Sequence, residues 1–163
     1  MSSKHLEDLR RQLGLDDQAY QAAVNDFDAA AATALGVNRT DLRCLEVLLQ
    51  EEVVLPSQLG ARLALTTGSV TAMLDRLERQ GYLSRSPDPG DRRKVIVKPT
   101  AKARRKVWTE IYQPLVAEGF DDIAHYTAAE LTLITDFLRR GRELHERHLA
   151  RVRDMPPGNP ASA

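Results

Sequence analysis

The chain has 163 residues, with 23 basic and 23 acidic side chains and therefore no net charge at neutral pH. Hydrophobic residues make up 42% of the sequence and aromatic residues 5%, which leaves room for one domain, or a small domain with helical extensions, around an aliphatic core. The lack of an apolar run of roughly 18 residues, of a signal-peptide core and of a second cysteine favours a cytoplasmic protein without membrane spans or disulfides.

The first part of the chain has the apolar spacing of helices. Leucines three and four residues apart predict a short amphipathic helix over residues 4–13, which Gly14 is expected to end. An alanine-rich helix is predicted over about 16–35, and another follows after a cap at Asn38 or Thr40. The N-terminal third is therefore predicted to be helical.

Two short helices in close succession predict a helix-turn-helix. A proline suits the first turn of a helix over 56–63, and Thr66 or Thr67 is placed to cap the next helix, which ends near Gln80. One face of this second helix is apolar, whereas short polar residues on the opposite face allow its backbone to approach base edges. The apolar face comprises Val70, Met73, Leu74 and Leu77.

A polar hairpin is predicted directly after these helices. Residues 82–86 and 94–98 have strand composition, and Pro-Asp-Pro-Gly-Asp at 87–91 is typical of a turn. Val95 and Val97 are expected to alternate with exposed neighbours in a half-exposed hairpin. The fold class is therefore mainly α with a small β-hairpin wing: a winged helix-turn-helix DNA-binding lobe plus a helical dimerisation lobe.

Two further helices complete the chain. Thr100 is expected to cap a helix to about Glu118, and Thr127 with Glu130 forms the capping box of the last helix. The end helices carry more apolar stripe than one small winged helix can cover, so a second copy of the chain is the expected partner. Four regions are predicted: N-terminal dimerisation helices (1–37), a winged helix-turn-helix (38–100), C-terminal dimerisation helices (101–155) and a disordered tail (156–163).

Charge is unevenly distributed along the chain. Residues 56–106 hold 12 of the 23 basic residues and only 4 of the 23 acidic ones, so this segment has a net charge of +8 and the remainder −8. A basic block in an acidic frame predicts binding of a polyanion. The alternative is a solvated basic face without a partner.

Two motifs in a fixed order point to a family. Leu-Glu-Arg-Gln-Gly-Tyr-Leu at 77–83 is followed by Asp-Arg-Arg at 91–93 and then by Thr100. With this spacing and helix order, the stretch over about 35–107 resembles the MarR family of bacterial transcription regulators. Pro99 departs from the leucine that the family usually has before the threonine.

The resemblance implies an assembly and a mode of action. Family members are homodimers formed by the N- and C-terminal helices, with one winged helix at each lower corner. They bind palindromic operators, often near their own gene. Many release DNA when a phenolic or other small aromatic ligand binds between the dimerisation and DNA-binding lobes.

The wing supplies the strongest candidates for DNA contact. The guanidinium groups of Arg92 and Arg93 suit a narrow, electronegative minor groove and can also fork onto phosphate. The family resemblance implies that one of them pairs with Asp91 or Asp88 and holds the loop in shape. The alternative is that both are solvated turn residues.

The two short helices supply further candidates. Arg76 either reaches a phosphate or guanine, or pairs with Asp75 or Glu78. Lys94 and Lys98 are either phosphate contacts or charges that only aid solubility. Hydroxyl and amide groups at the helix starts suit base edges and phosphates. For Ser57 and Gln58 the alternative is plain N-capping, and some of the hydroxyls at the start of the second helix must also serve as caps. These candidates are Ser57, Gln58, Thr66, Thr67, Ser69 and Thr71.

Other reactive residue types indicate no second site. Cys44 is interpreted as a small core hydrophobe, with a redox sensor as the alternative. His145 and His148 are close in sequence, but His5 and His125 are distant and no cysteine or carboxylate cluster completes a site, so neither a metal nor a cofactor is expected. Four residues either line an effector pocket or belong to the core: Trp108, Tyr112, His125 and Tyr126.

Enzymatic activity is not expected, because the sequence has no nucleophile–base set, no phosphate-cradling glycine loop and no metal triad. The favoured function is a sequence-specific DNA-binding transcription regulator, a repressor that binds palindromic operators as a homodimer. The alternative is a winged helix used only for protein–protein contact. The arginine-rich wing argues against this alternative, because a protein-binding wing has no need of clustered guanidinium groups.

Overall fold

The computed structural model describes residues 3–156 of the chain. The chain divides into two compact units, Met1–Val116 and Ala117–Ala163. Of the tail predicted to be disordered over 156–163, only Pro156 lies within the described residues. None of the described helices has the length and apolar character that a membrane span requires.

A single helix, α1 (Ser3–Leu35), forms the N-terminal 33 described residues. The prediction that Gly14 separates two helices is wrong. Gly14 does not share the positive φ of Gly36, and Gln12 Nε2 donates a hydrogen bond across it to Asp16 Oδ1 (2.9 Å). A glycine inside a helix costs about 1 kcal/mol relative to alanine, and this local cost does not interrupt a helix whose neighbouring turns are intact.

Three shorter helices follow in the order that the sequence predicts. They are α2 (Arg39–Glu51), α3 (Pro56–Leu63) and α4 (Thr67–Arg79). The bounds of α3 are those predicted, and the proline at its first position lacks only an N–H that a helix start leaves unpaired. The pair α3 and α4 is the helix-turn-helix.

The caps of these helices come from the expected positions. Asn38, rather than Thr40, caps α2, because its side-chain oxygen accepts the N–H of Asp41 (2.8 Å). Thr66 caps α4. Between α3 and α4 the chain turns through Ala64, which has a left-handed backbone (φ 53°). The two helices of the motif are therefore joined by a turn of only a few residues.

The wing is an antiparallel pair of strands, β1 (Leu83–Pro87) and β2 (Val95–Pro99). The predicted alternation along β2 is wrong at two positions. Val95 is 45% exposed, and Ile96 is buried together with Val97. Val95 shares a face with Val97 but lies next to the tip of the hairpin, beyond the edge of the core, whereas Ile96 is enclosed on the opposite face.

The core of the first unit is aliphatic and surrounds the inward faces of α2 and α4. A short bridge between Val54 and β2 closes it below the wing. Because the inward faces of these helices are enclosed, their opposite faces remain available at the surface. Fully buried members of this core include Cys44, Leu45, Leu48, Leu59, Leu77, Val97 and Val107.

The helix after the wing has a change in hydrogen bonding that the sequence analysis missed. Thr100 caps it as predicted, but after α5 (Ala101–Ala103) the backbone continues as a π-helix (Arg104–Tyr112). It then becomes α6 (Gln113–Ile123), which extends beyond the predicted end at Glu118. The wider π turns come immediately before Pro114, whose missing N–H cannot take part in an α-helical ladder.

The second unit contains one long helix, α7 (Ala128–Arg153). Its start is confirmed: Thr127 and Glu130 form the predicted capping box, in which Glu130 Oε2 accepts the N–H of Thr127 (2.8 Å). No residue of α7 is buried within the described part of the chain. Its exposed apolar side chains include Ile134, Phe137, Leu138 and Leu144.

Candidate nucleic-acid interface

An exposed group of hydroxyls lies at the N-terminal turn of α4. Thr66 Oγ1 accepts the N–H of Ser69 (3.3 Å) and lies 2.9 Å from Ser69 Oγ. Thr71 Oγ1 donates to the carbonyl oxygen of Thr67 (3.0 Å). All four residues are exposed, and a hydroxyl that makes one such bond retains capacity for another. The structure therefore brings these four predicted contact residues together, with part of their hydrogen-bonding capacity used within the helix.

Small residues occupy the outward face of α4. Gly68 and Ala72 are exposed, and a methyl group added at Gly68 would meet no atom within 4 Å. Arg79, which the sequence analysis did not select, is exposed near the end of the same face and donates Nε to the carbonyl of Asp75 (3.2 Å). A helix with this surface can place its backbone close to the floor of a major groove.

Arg76 has a different partner from the one predicted. The alternative of a pairing with Asp75 or Glu78 is wrong, because Arg76 donates Nε and Nη2 to the two carboxylate oxygens of Asp41 in α2 (3.2 and 2.8 Å). The hydrogen bond and the charge of Asp41 both raise the pKa of Arg76. The side chain of Arg76 is still 41% exposed, so its contact with DNA stays a prediction.

Asp75 and Glu78 instead bind Arg85, a residue of β1 that the sequence analysis missed. Arg85 Nη2 donates to Asp75 Oδ1 (2.6 Å), and its Nε donates to Glu78 Oε2 (2.9 Å). The side-chain hydrogen bond from Arg85 lowers the pKa of Glu78. One signal in the sequence was available: two carboxylates three residues apart on a helix face, followed after a tight glycine turn by an arginine in a strand.

Two aspartates order the tip of the wing. Asp88 Oδ1 accepts the N–H groups of Gly90 (2.7 Å) and Asp91 (3.2 Å). Asp91 Oδ1 in turn accepts the backbone N–H and Nε of Arg93, both at 3.2 Å. The pairing of a wing arginine with Asp91, implied by the family resemblance, is therefore present.

The cations of the wing remain open to solvent. The side chain of Arg93 is 92% exposed despite its partner. Lys94 is also exposed, and its Nζ lies 3.7 Å from Asp91 Oδ2. Arg92 is exposed and makes no ion pair with a described residue. The wing thus presents three adjacent cations to solvent.

Two predicted contact residues lie at the start of the supporting helix α3. Gln58 Oε1 accepts the N–H of Leu55 (2.8 Å), so this side chain satisfies the start of α3. Ser57 is exposed at the same end. Gln58 therefore has the capping role through its Oε1, while its Nε2 and the hydroxyl of Ser57 make no hydrogen bond to a described residue, so phosphate contact by either residue stays a prediction.

Cys44 lies in the core, as the sequence analysis favoured. Its exposed fraction is 0%, and burial, with the nearby charge of Asp41 as a smaller cause, raises the pKa of the thiol to about 12. A thiol of this kind is protonated at neutral pH and is a poor nucleophile. Among the described residues, no three side chains of ligand type form a metal-binding group.

A polar cleft lies in the first unit, between α1 and the helices α2 and α3 of the DNA-binding lobe. Its volume is about 340 Å³. Tyr112, in the π-helix, approaches the cleft because its hydroxyl donates a hydrogen bond to Glu46 (2.6 Å). Trp108 is 45% exposed. His125 and Tyr126 stack on each other in the second unit. None of the four predicted aromatic residues borders the cleft. Its walls are Asp28, Arg39, Thr40, Leu42, Arg43, Glu46, Arg62 and Leu63.

Solved structures share this fold. The structure of YusO from Bacillus subtilis superimposes with a TM-score of 0.60 at 20% identity, over 88% of this chain and 99% of that one. The structure of NadR in complex with 4-hydroxyphenylacetate gives a TM-score of 0.58 at 22% identity, over 78% of this chain and 89% of that one. At these identities the likeness shows the winged-helix fold alone.

Sequence relatives identify the family. The MarR family model matches residues 37–95, which contain α2, α3, α4 and most of the wing. The chain is 37% identical over 127 residues to the uncharacterized HTH-type transcriptional regulator YcgE of Bacillus subtilis, covering 78% of this chain and 82% of that protein. With this identity over most of both proteins and a family model on the DNA-binding lobe, the chain belongs to the MarR family and is a DNA-binding transcriptional regulator.

Proposed function

We propose that this regulator is a repressor that binds a palindromic operator as a homodimer and is released by a small aromatic ligand. One observation carries the DNA-binding mode: the exposed polar face of α4 lies beside a wing with three exposed cations. A helix of this kind enters the major groove, and the wing then reaches the flanking minor groove or backbone. Occupation of the operator blocks transcription.

Each interface residue is assigned a role by its chemistry and exposure. Ser69 and Thr71 contact base edges in the major groove, and Arg92 and Arg93 enter the minor groove, where guanidinium is favoured. Arg76 contacts phosphate through the exposed side of its guanidinium group. The remaining predicted residues contact the phosphate backbone: Ser57, Gln58, Thr66, Thr67 and Lys94.

Exposed apolar side chains on two helices support the proposal of a homodimer. On α1, Leu9 and Leu13 are 48% and 50% exposed, and on α7, Phe137 and Leu138 are 42% and 58% exposed. Apolar surface in water costs about 25 cal/mol per Å², and a second copy related by a two-fold axis covers the same surface on both chains. A dimer built from 1–37 and 101–155 presents two α4 helices, which suit half-sites about 34–36 Å apart.

The polar cleft supports the proposal that a small molecule binds this protein. Its volume of about 340 Å³ lies in the range of small-molecule sites. Arg39 and Arg43 pair with Asp28 (3.6 Å) and Glu46 (2.8 Å) in the cleft, and a ligand carboxylate would compete for their N–H groups. Leu42 and Leu63 offer apolar contact to a ring. The fold neighbour NadR was solved in complex with 4-hydroxyphenylacetate, a phenolic acid of the class that the family resemblance implies.

Fluorescence anisotropy tests the proposal. A labelled duplex from upstream of the gene is titrated with protein at two salt concentrations and compared with a scrambled duplex. Because phosphate neutralisation releases counterions, affinity for both falls as salt rises, and the proposal expects a preference for the upstream duplex at the higher salt. Addition of 4-hydroxyphenylacetate is expected to lower the anisotropy, and Arg43→Ala is expected to weaken that response.

Other results would contradict the proposal. If both duplexes bound equally, and if the higher salt concentration abolished that binding, specific operator binding at this site would be contradicted. No binding to either duplex at low salt would favour the alternative, a winged helix that contacts protein. Sedimentation at micromolar concentration tests the assembly directly, and a monomeric mass would contradict the homodimer.

A further inference from the structure

A polar contact joins the exposed edge of the wing to α4. One edge of β1 pairs with β2, and its other edge has no neighbouring strand within the described residues. On that edge the backbone N–H of Arg85 donates to Glu78 Oε1 (3.1 Å). Glu78 therefore takes the place that another strand would occupy.

The guanidinium group of Arg85 adds a second set of bonds at the same place. Its Nε and Nη2 reach Glu78 and Asp75, three residues apart on α4. Only 29% of the Arg85 side chain is exposed. Two carboxylates hold the forked guanidinium group of Arg85, and the backbone N–H of the same residue makes a further hydrogen bond. Together these bonds fix both the position and the orientation of the strand.

A hairpin without such a contact is poorly fixed. An isolated two-stranded hairpin is at best marginally stable in water. Here Leu83 and Val97 anchor the base of the hairpin in the core, and a bridge joins Val97 to Val54. None of residues 84–87 of β1 is buried, so this part of the strand has no such anchor. From Arg85 to the tip at Gly90 the chain extends about 16 Å at 3.3 Å per residue. A rotation of about 10° at the base therefore moves the tip by about 3 Å, which is enough to break a hydrogen bond to DNA.

We propose that Arg85 is a positioning residue for DNA binding, which locks the base of the wing onto Asp75 and Glu78 of α4. The wing arginines are thereby held in register with the base-contacting face of α4. Arg85 itself does not contact DNA. The inference rests on the proposed function, since it assumes that α4 and the wing bind one operator together.

The test compares substitutions that separate geometry from charge. Arg85→Gln breaks the fork, Arg85→Lys keeps the charge without the fork, and Arg85→Gln combined with Asp75→Asn and Glu78→Gln removes the two carboxylates that Arg85→Gln alone leaves unpaired, without restoring the lock. Arg139→Gln is the matched control, because Arg139 also binds two carboxylates, those of Asp136 and Glu143 on α7. Thermal unfolding checks that each variant is folded.

Hydrogen exchange gives a readout that needs no DNA. The proposal expects faster exchange of the wing amides over 83–99 in all three Arg85 variants, with exchange in α2 unchanged. The control variant should match the parent protein in both regions. Parental exchange in the wing of Arg85→Gln would overturn the lock, whatever the protein's activity on DNA.

Binding to the operator gives the functional readout. The Arg85→Gln variant is expected to bind about tenfold more weakly, as for loss of one charged hydrogen bond, and to lose hydroxyl-radical protection at the operator flanks. Parental affinity and flank protection in the triply substituted variant would overturn positioning and leave charge masking as the role of Arg85. Failure of the parent protein to prefer the operator would sink the proposed function instead, while the exchange data still decide the lock.

Discussion

Asp41 of α2 receives two hydrogen bonds from the guanidinium group of Arg76 on α4, at 3.2 and 2.8 Å. The carboxylate is almost enclosed, with 3% of its side chain exposed, whereas 41% of the Arg76 side chain is exposed. The pair therefore links the core side of the lobe to the exposed surface of α4. Together with Arg85 on the opposite flank of α4, it fixes the helix from two sides.

Substitution of Asp41 by asparagine should destabilise the protein. The change removes a nearly buried charge and leaves Arg76 without its carboxylate, and breaking one side of such a pair costs more than losing a surface pair. Because Arg76 can still reach water, we expect the free energy of unfolding to fall by about 1–3 kcal/mol. Urea denaturation measures it.

A matched surface pair provides the control for this experiment. Asp8 pairs with Arg11 at 3.8 Å with both side chains more than half exposed, so Asp8→Asn should change the free energy of unfolding by less than about 0.5 kcal/mol. Equal effects of Asp41→Asn and Asp8→Asn would show that the Asp41–Arg76 pair does not anchor α4.

Alanine at either wing arginine should weaken operator binding without unfolding the protein. Arg93 has an exposed fraction of 92% and Arg92 is likewise exposed, so neither contributes to the core. Removal of either guanidinium group should raise the dissociation constant about tenfold and make binding less dependent on salt. Anisotropy titrations at several salt concentrations measure both effects, with the melting temperature as the check on folding.

The two arginines should differ in one respect. Because Arg93 pairs with Asp91, its removal also frees a carboxylate close to DNA, and Arg93→Ala should be the more damaging change. Adding Asp91→Asn to that variant should recover part of the loss. A folded Arg93→Ala variant with parental affinity for the operator would refute the assignment of the wing.

The thiol of Cys44 should be unreactive in the folded protein. Its pKa of about 12, raised by burial, keeps it protonated at neutral pH, and its exposed fraction of 0% excludes reagents. Iodoacetamide at pH 7.5 should leave the native mass unchanged and add one adduct in guanidinium chloride. Rapid native labelling, or oxidation of Cys44 by dilute peroxide, would revive the redox-sensor alternative.

Local signals allowed much of the fold to be predicted. The Thr127–Glu130 capping box, Pro56 at a helix start and Thr100 as a cap each depend on residues within one turn of each other. Such signals define where elements begin and end. The predicted helix end at Gly14 was wrong because glycine is only weakly unfavourable inside a helix, and composition alone does not reveal the φ angle of a glycine.

The ion pairs of the site were less accessible to sequence analysis. The alternative considered for Arg76 was a pair with Asp75 or Glu78, which are close in sequence, but its partner Asp41 is 35 residues away. That contact exists only because α2 and α4 pack into one core, so pairing follows the tertiary arrangement rather than spacing. The wing was easier to predict, since Asp91 and Arg93 are two residues apart.

Acid should loosen the contact between the wing and α4. Hydrogen bonds from Arg85 lower the pKa of Glu78 from its ordinary value of 4.5. A lowered pKa in the folded state means that the contribution is complete above about 4.5 and is lost as the pH falls through the lower pKa of the folded protein. Arg85 stays charged throughout, and Asp75 shares it.

Comparison of the parent with Glu78→Gln isolates this contribution. Urea midpoints between pH 7 and pH 3 should decline less steeply on the acid side for the variant, because it has no charge to lose at position 78. Parallel acid-side slopes for the two proteins would show that the Glu78–Arg85 bond adds nothing to the stability of the folded state.

Alanine should stabilise the protein at Gly14 and destabilise it at Gly36. A methyl group at Gly14 meets nothing within 4 Å and the backbone there is helical, so Gly14→Ala should strengthen α1 locally by about 1 kcal/mol. Gly36 also has open space but a φ of +68°, which strains alanine by about 1 kcal/mol. The pair thus separates backbone conformation from packing.

Hydrogen exchange should slow about fivefold around residue 14 in the Gly14→Ala variant and quicken at the end of α1 in the Gly36→Ala variant. Faster exchange around residue 14 after Gly14→Ala would mean that α1 is broken there, as the sequence first indicated.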